Sequence, residues 1–134
     1  MNRVFDATVP MVFGAWSSAE QFKRWFAPRP MSISHRELDF RAGGVMDFTM
    51  RLPNGVEFPV IGRFEEIVDN ERIVFSGDIH DGNRAHTTVT FVGSGGKTTL
   101  SVHQTYTTAS DATRGAHAGW SSTLDNLAGE LATG

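Results

Sequence analysis

From about residue 31 to residue 106 the chain alternates apolar and polar residues with period two, and then Ser110 to Ala132 switches to the period of a helix. In that last stretch Ala116, Trp120, Leu124, Leu127 and Leu131 share one face. A run of strands closed by one long amphipathic helix buries both apolar surfaces by laying the helix across the sheet. The space between them is the first place to look for function.

The clearest strand sets Met46, Phe48, Met50 and Leu52 against Val45, Asp47, Thr49 and Arg51. Further strands are expected at Phe58 to Ile67, Arg72 to Ile79, Ala85 to Val92 and Thr98 to Tyr106, with a short first one over Arg3 to Asp6. Pro53-Asn54-Gly55, Asp69-Asn70-Glu71, His80-Asp81-Gly82-Asn83 and Gly93-Ser94-Gly95-Gly96 carry turn chemistry. Connections this short make neighbouring strands antiparallel. Ahead of them, Thr8 is placed to cap a helix that starts near Pro10 and buries Met11, Val12, Ala15 and Trp16. Ser17-Ser18-Ala19-Glu20 reads as a capping box for a second helix, Ala19 to Phe26, stopped by Pro28 and Pro30. The expectation is an α+β fold in one domain over residues 1–134: two short helices, a curved antiparallel sheet of about six to seven strands, and a long C-terminal helix.

Charge and composition remove several function classes. Twelve Lys and Arg against fifteen Asp and Glu leave a net charge of -3, and apart from Lys23-Arg24 the basic residues are scattered. Neither nucleic acid nor an anionic membrane is an expected partner. The chain has no cysteine, which removes disulfides, thiolate metal sites and cysteine nucleophiles. No apolar run reaches the ~18 residues of a membrane span and the start has no signal-peptide core, so a soluble, cytoplasmic protein is expected, with no membrane insertion.

Several segments together carry a family resemblance. They are Arg3-Val4-Phe5-Asp6-Ala7, Val12-Phe13-Gly14-Ala15-Trp16, Glu20-Gln21-Phe22-Lys23-Arg24-Trp25-Phe26-Ala27-Pro28 and Leu38-Asp39-Phe40-Arg41-Ala42-Gly43-Gly44, followed by Glu71-Arg72-Ile73-Val74-Phe75 and His117-Ala118-Gly119-Trp120 through Leu124-Asp125-Asn126-Leu127. In this order they resemble the bacterial relatives of the Hsp90 ATPase activator domain, within the START-like superfamily, also called SRPBCC or Bet v 1-like. The resemblance implies a helix-grip fold around a deep, mostly apolar cavity. Relatives variously bind lipids, sterols or polyketides, some catalyse aromatic cyclisation, and the eukaryotic activator stimulates a chaperone. Thr8 stands where the family usually has proline, and the first strand lacks several upstream residues. A shorter sheet edge, a missing upstream segment and a homodimer formed through that edge are the corresponding expectations.

Strand phase builds the expected cavity wall residue by residue. Turning the apolar face of each strand inward brings together Leu38, Phe40, Met46, Phe48, Met50, Val60, Phe64, Ile73, Phe75, Val89, Phe91, Val102 and Tyr106. Trp25 from the second helix, and His117 and Trp120 from the final helix, complete the candidate ligand-binding set. The competing reading is that these side chains fill a packed core. Arg36, Thr87, Gln104 and Tyr106 share the inward phase and are placed to orient a ligand, Arg36 through its planar fork. The alternative for Arg36 is an ion pair or solvent at the sheet edge.

The histidines supply little chemistry. His35, Glu37 and Asp39 fall on the phase opposite Leu38 and Phe40, the phase of a solvated face. His86 and His103 are possible cross-strand neighbours without a third metal ligand, and His80 sits in a turn. His117 lies one helical turn from Trp120 and Ser121, where an imidazole can move a proton near neutral pH or serve as packing. No nucleophilic triad or phosphate loop can be assembled from the spacing, and no metal or cofactor is expected. Three function classes stand: a binder of a small hydrophobic molecule, lipid-like or polyketide-like; an enzyme of the cyclase or hydrolase kind acting on such a molecule through His117, Tyr106 or Arg36; and a partner of an Hsp90-type chaperone.

Overall fold

The computed structural model describes residues 1–27, 31–78, 84–106 and 116–133. Strands β1 (Asn2–Phe5), β2 (Ser32–Leu38), β3 (Val45–Arg51), β4 (Glu57–Val68), β5 (Arg72–Asp78), β6 (Arg84–Ser94) and β7 (Lys97–Tyr106) form one sheet in the order β1-β7-β6-β5-β4-β3-β2. All its pairings are antiparallel. From β2 to β7 each strand lies beside its neighbours in sequence, as short connections require. Only β1 departs from this, adding to the far edge of β7. Helices α1 (Val9–Ser17), α2 (Ala19–Trp25) and α3 (Ala116–Thr133) complete the α+β helix-grip arrangement.

Turn residues act at the expected places. At 52–56 the Asn54 Oδ1 accepts the Val56 N–H at 3.0 Å and Gly55 adopts φ 93°. Gly95 and Gly96, at φ 60° and 80°, form the tight hairpin between β6 and β7. The 80–83 turn and Ile79 lie outside the described residues.

The sheet bends in its middle. Gly62 and Gly77 face each other across β4 and β5, and a Cβ on Gly62 would come within 2.2 Å of the Ser76 carbonyl oxygen. Two residues further on, the β4–β5 register shifts between Phe64 and Glu66, and a second shift interrupts β2 between Ile33 and His35. Such bulges bend a strand and increase its twist.

Local details correct four expectations. Thr8 occupies the N-cap position of α1, but its side chain makes no capping hydrogen bond; its carbonyl accepts from Met11 and Val12 instead. The α1 stripe buries Val12, Phe13, Ala15 and Trp16 and leaves Met11 exposed, because Phe13 and not Met11 lies on the inner arc. For α2 the cap is Ser18, whose hydroxyl accepts the Gln21 N–H at 3.3 Å, one residue later than the Ser17–Glu20 box, and the helix ends at Trp25 with Phe26 as its C-cap. Further along the chain, β3 stops at Arg51, so Leu52 belongs to the turn.

The final helix is fixed mainly through its neighbours at one side. Leu124 and Leu127 are fully buried, with Trp120 and Leu131 half-buried against the core. Asn126 donates its amide to the carbonyls of Ala27 at 2.8 Å and Trp25 at 3.4 Å, tying α3 to the end of α2. From the opposite side Arg3 in β1 pairs with Asp125 at 2.5 Å and donates to the Ser121 carbonyl. Residues 107–115, which include the expected start of this helix at Ser110, lie outside the described residues. No described helix is long and apolar enough to cross a membrane.

Candidate functional site

The inner face of the sheet is aromatic because period two places a ring on alternate residues of adjacent strands. Phe48 in β3, Phe64 in β4, Phe75 in β5 and Phe91 in β6 are all buried, with Met46 and Val89 between them. Met50 and Leu38 lie half-buried at the β2–β3 side. Phe40 was expected on the strand with Leu38, but β2 ends at Leu38 and Phe40 belongs to the following connection. That connection folds back onto β4 through hydrogen bonds between Gly43 and Phe64 and between Phe64 and Gly44, and its ring lands edge-on against Phe64 at 5.0 Å. A Cβ on Gly44 would meet the Asp39 carbonyl oxygen at 2.0 Å, so this return needs glycine.

Helices α1 and α2 set a second layer of rings on this wall. Phe13 meets Phe40 and Phe91, Phe22 meets Phe48, and Phe26 meets Phe48 and Phe75. Trp25 is fully buried and donates its Nε1 to the Ala15 carbonyl at 3.0 Å, locking α2 to α1. Trp16 stands at the centre. Its ring lies 4.8 Å from Trp25, 5.6 Å from Phe26, 6.3 Å from Phe75 and 6.4 Å from Phe91, and it stacks at 24° on Trp120 of α3, 6.2 Å away. Although the Trp16 Nε1 is buried, it has no hydrogen-bond partner among the described residues.

Gln104, Thr87 and Trp120 satisfy one another's inward polar groups. Gln104 donates its amide to the Thr87 hydroxyl at 2.7 Å and accepts from the Trp120 Nε1 at 3.2 Å. Thr87 is fully buried, so this chain joins β6, β7 and α3 inside the core. Arg36 is in register with buried Phe48, and Tyr106 with buried Ala85. The side chains of Arg36, Tyr106 and His117 lie outside the described residues, as does that of His35.

On the outer face His86 holds an ion pair. His86 stands opposite Thr105 and His103 opposite Thr88, so the two are offset by one pleat and are not directly paired. His86 Nε2 is 2.8 Å from Glu65, whose other oxygen lies 3.4 Å from the Ser76 hydroxyl, and Arg84 also donates to that hydroxyl. Among the described residues no three histidine or carboxylate side chains converge as a metal site. Asp39 lies in the β2–β3 connection, paired with Arg41, while Glu37 is exposed.

A groove of about 530 Å³ opens between α2, the start of β2 and α3, lined by Lys23, Arg24, Ala27, Met31, Ser32, Asn126, Gly129 and Glu130. Across it Arg24 grips the Glu130 carboxylate through Nε, at 3.1 Å to each oxygen, and through Nη2 at 2.8 Å. Those hydrogen bonds, aided by the charges of Glu130 and Glu20, push the Arg24 pKa above its ordinary value. Sequence reading did not find this groove, because its walls come from three separate elements. The Lys23-Arg24 pair was its only visible trace.

Over residues 6–132 the sequence matches the family described as Activator of Hsp90 ATPase homolog 1-like protein. The chain belongs to that family. Among solved structures of similar shape, a Chromobacterium violaceum protein superposes on this Hsp90-activator-homologue chain with a TM-score of 0.89 at 25% identity, covering 98% of this chain and 94% of the other. A Nitrosomonas europaea protein gives 0.87 at 25% identity, covering 99% and 92%. An uncharacterized Rhizobium leguminosarum protein gives 0.82 at 27% identity, covering 100% and 93%. No functionally curated protein matches the chain. Family membership thus accords with the helix-grip frame described above.

Proposed function

We propose that this domain binds a small, predominantly apolar molecule between its sheet and α3. The observation that carries the reading is Trp16, whose buried indole N–H has no acceptor among the described residues although five aromatic rings surround the indole. A buried donor left unpaired costs about 1–3 kcal/mol. An oxygen or nitrogen on a bound apolar molecule relieves that cost, while the surrounding Phe and Met side chains adapt to its body. Half-buried Trp120, stacked over Trp16, is the ring of this cluster nearest solvent.

Native mass spectrometry of protein purified from its own host tests this. Wild-type protein is expected to carry an additional small-molecule mass, and, once stripped, to bind the neutral dye N-phenyl-1-naphthylamine saturably. Trp16→Phe keeps a ring and removes the donor, so it should still unfold cooperatively, at a somewhat lower temperature because the smaller ring leaves space, and recover less cargo. Protein that is always bare and never binds the dye would overturn the reading.

A further inference from the structure

The α2–α3 groove lies apart from the aromatic interior and has its own chemistry. Its volume, about 530 Å³, falls within the range of about 300–1,000 Å³ common to small-molecule sites. The lining carries two cations and one carboxylate, and Arg24 and Glu130 neutralise each other across it, which leaves one cation over. The surplus charge is Lys23, which is exposed and makes no ion pair or hydrogen bond among the described residues. Ala27 and Met31 give the same groove an apolar strip.

Gly129 supplies an independent sign. It lies inside α3, where glycine costs helix stability relative to alanine. Packing does not require it, since an added Cβ would meet nothing within 4 Å. What the missing side chain does is leave this part of the groove open.

We propose that the groove is a second binding site, which takes a small amphipathic monocarboxylate with its head at Lys23 and its alkyl chain along Ala27, Met31 and Gly129. One negative charge matches the one unneutralised cation, and an alkyl chain covers half-buried Met31 and the open helix surface at Gly129, with buried Ala27 as the floor. A neutral analogue gains only the second of these terms. The site stands whether or not the interior holds a ligand.

Octanoate and 1-octanol, titrated calorimetrically against the stripped wild-type chain, supply the test. Octanoate is expected to bind at least tenfold more tightly than octanol and to leave N-phenyl-1-naphthylamine in the interior undisplaced. Lys23→Gln, at an exposed position, should weaken octanoate about tenfold and change octanol little. Gly129→Leu, which fills the groove with a good helix former, should abolish octanoate binding while dye binding persists. Should that variant fail to fold, the Lys23→Gln comparison decides alone. Octanol binding as well as octanoate, octanoate competing with the dye, octanoate surviving Gly129→Leu, or no saturable octanoate binding would each overturn the proposal.

Discussion

Gln104 and Trp120 meet across the interior of the molecule, the glutamine oxygen accepting the indole N–H at 3.2 Å. Because the same amide also donates to buried Thr87, a single side chain satisfies polar groups from a strand and from the final helix. Gln104→Leu keeps much of the volume and strands both partners. It is expected to lower unfolding stability by about 1–3 kcal/mol, measured by urea denaturation. An unchanged midpoint would show that these groups find other partners.

Ser18 and Thr8 occupy equivalent N-cap positions with different chemistry, since only Ser18 accepts a side-chain hydrogen bond from its helix. Ser18→Ala should therefore cost about 0.5–2 kcal/mol, while Thr8→Ala stays near zero. Thermal denaturation of the two variants side by side checks the ranking.

Two glycines predict effects of opposite sign. Gly62→Ala drives a Cβ to 2.2 Å from the Ser76 carbonyl, a backbone clash at the bend of the sheet, and should destabilise by about 2 kcal/mol or more. Gly129→Ala meets open space in a helix and should stabilise by about 0.5–1 kcal/mol. Chemical denaturation that returned the same sign for both would refute this assignment.

Leu124 and Leu127 are fully buried under α3, so replacing either by Ala should cost about 2–5 kcal/mol. That is a large share of the ~5–15 kcal/mol stability of a domain. A chain ending after Gly119 should show no cooperative melting by circular dichroism, whereas a normal transition would mean the sheet folds without its helix.

Alternating strands were legible because each has one buried face: Met46, Phe48, Phe64, Phe75, Val89 and Phe91 all follow from period two. Phase alone did not reveal where strands end or how they pair. Phe40 continues the alternation past Leu38 yet sits in a connection whose course is set by hydrogen bonds to distant Phe64. His86 and His103 depend on a register that no local signal encodes. In α1 the nine-residue helix is too short for periodicity to choose between Met11 and Phe13. For the candidate site, the inward burial of its strand residues was readable, but the central place of Trp16 was not, because it arises where two helices, the sheet and α3 converge.

The pairing of β1 with β7 has a consequence for biosynthesis. Met1 bonds Val102, 101 positions later, and Arg3 reaches Ser121, 118 positions away. Contacts this distant in sequence slow folding, because a long loop must close before they form. As this chain leaves the ribosome, one margin of its sheet stays unprotected until β7 and α3 have emerged, so the nascent polypeptide spends most of its synthesis with aromatic surface available to chaperones or to aggregation.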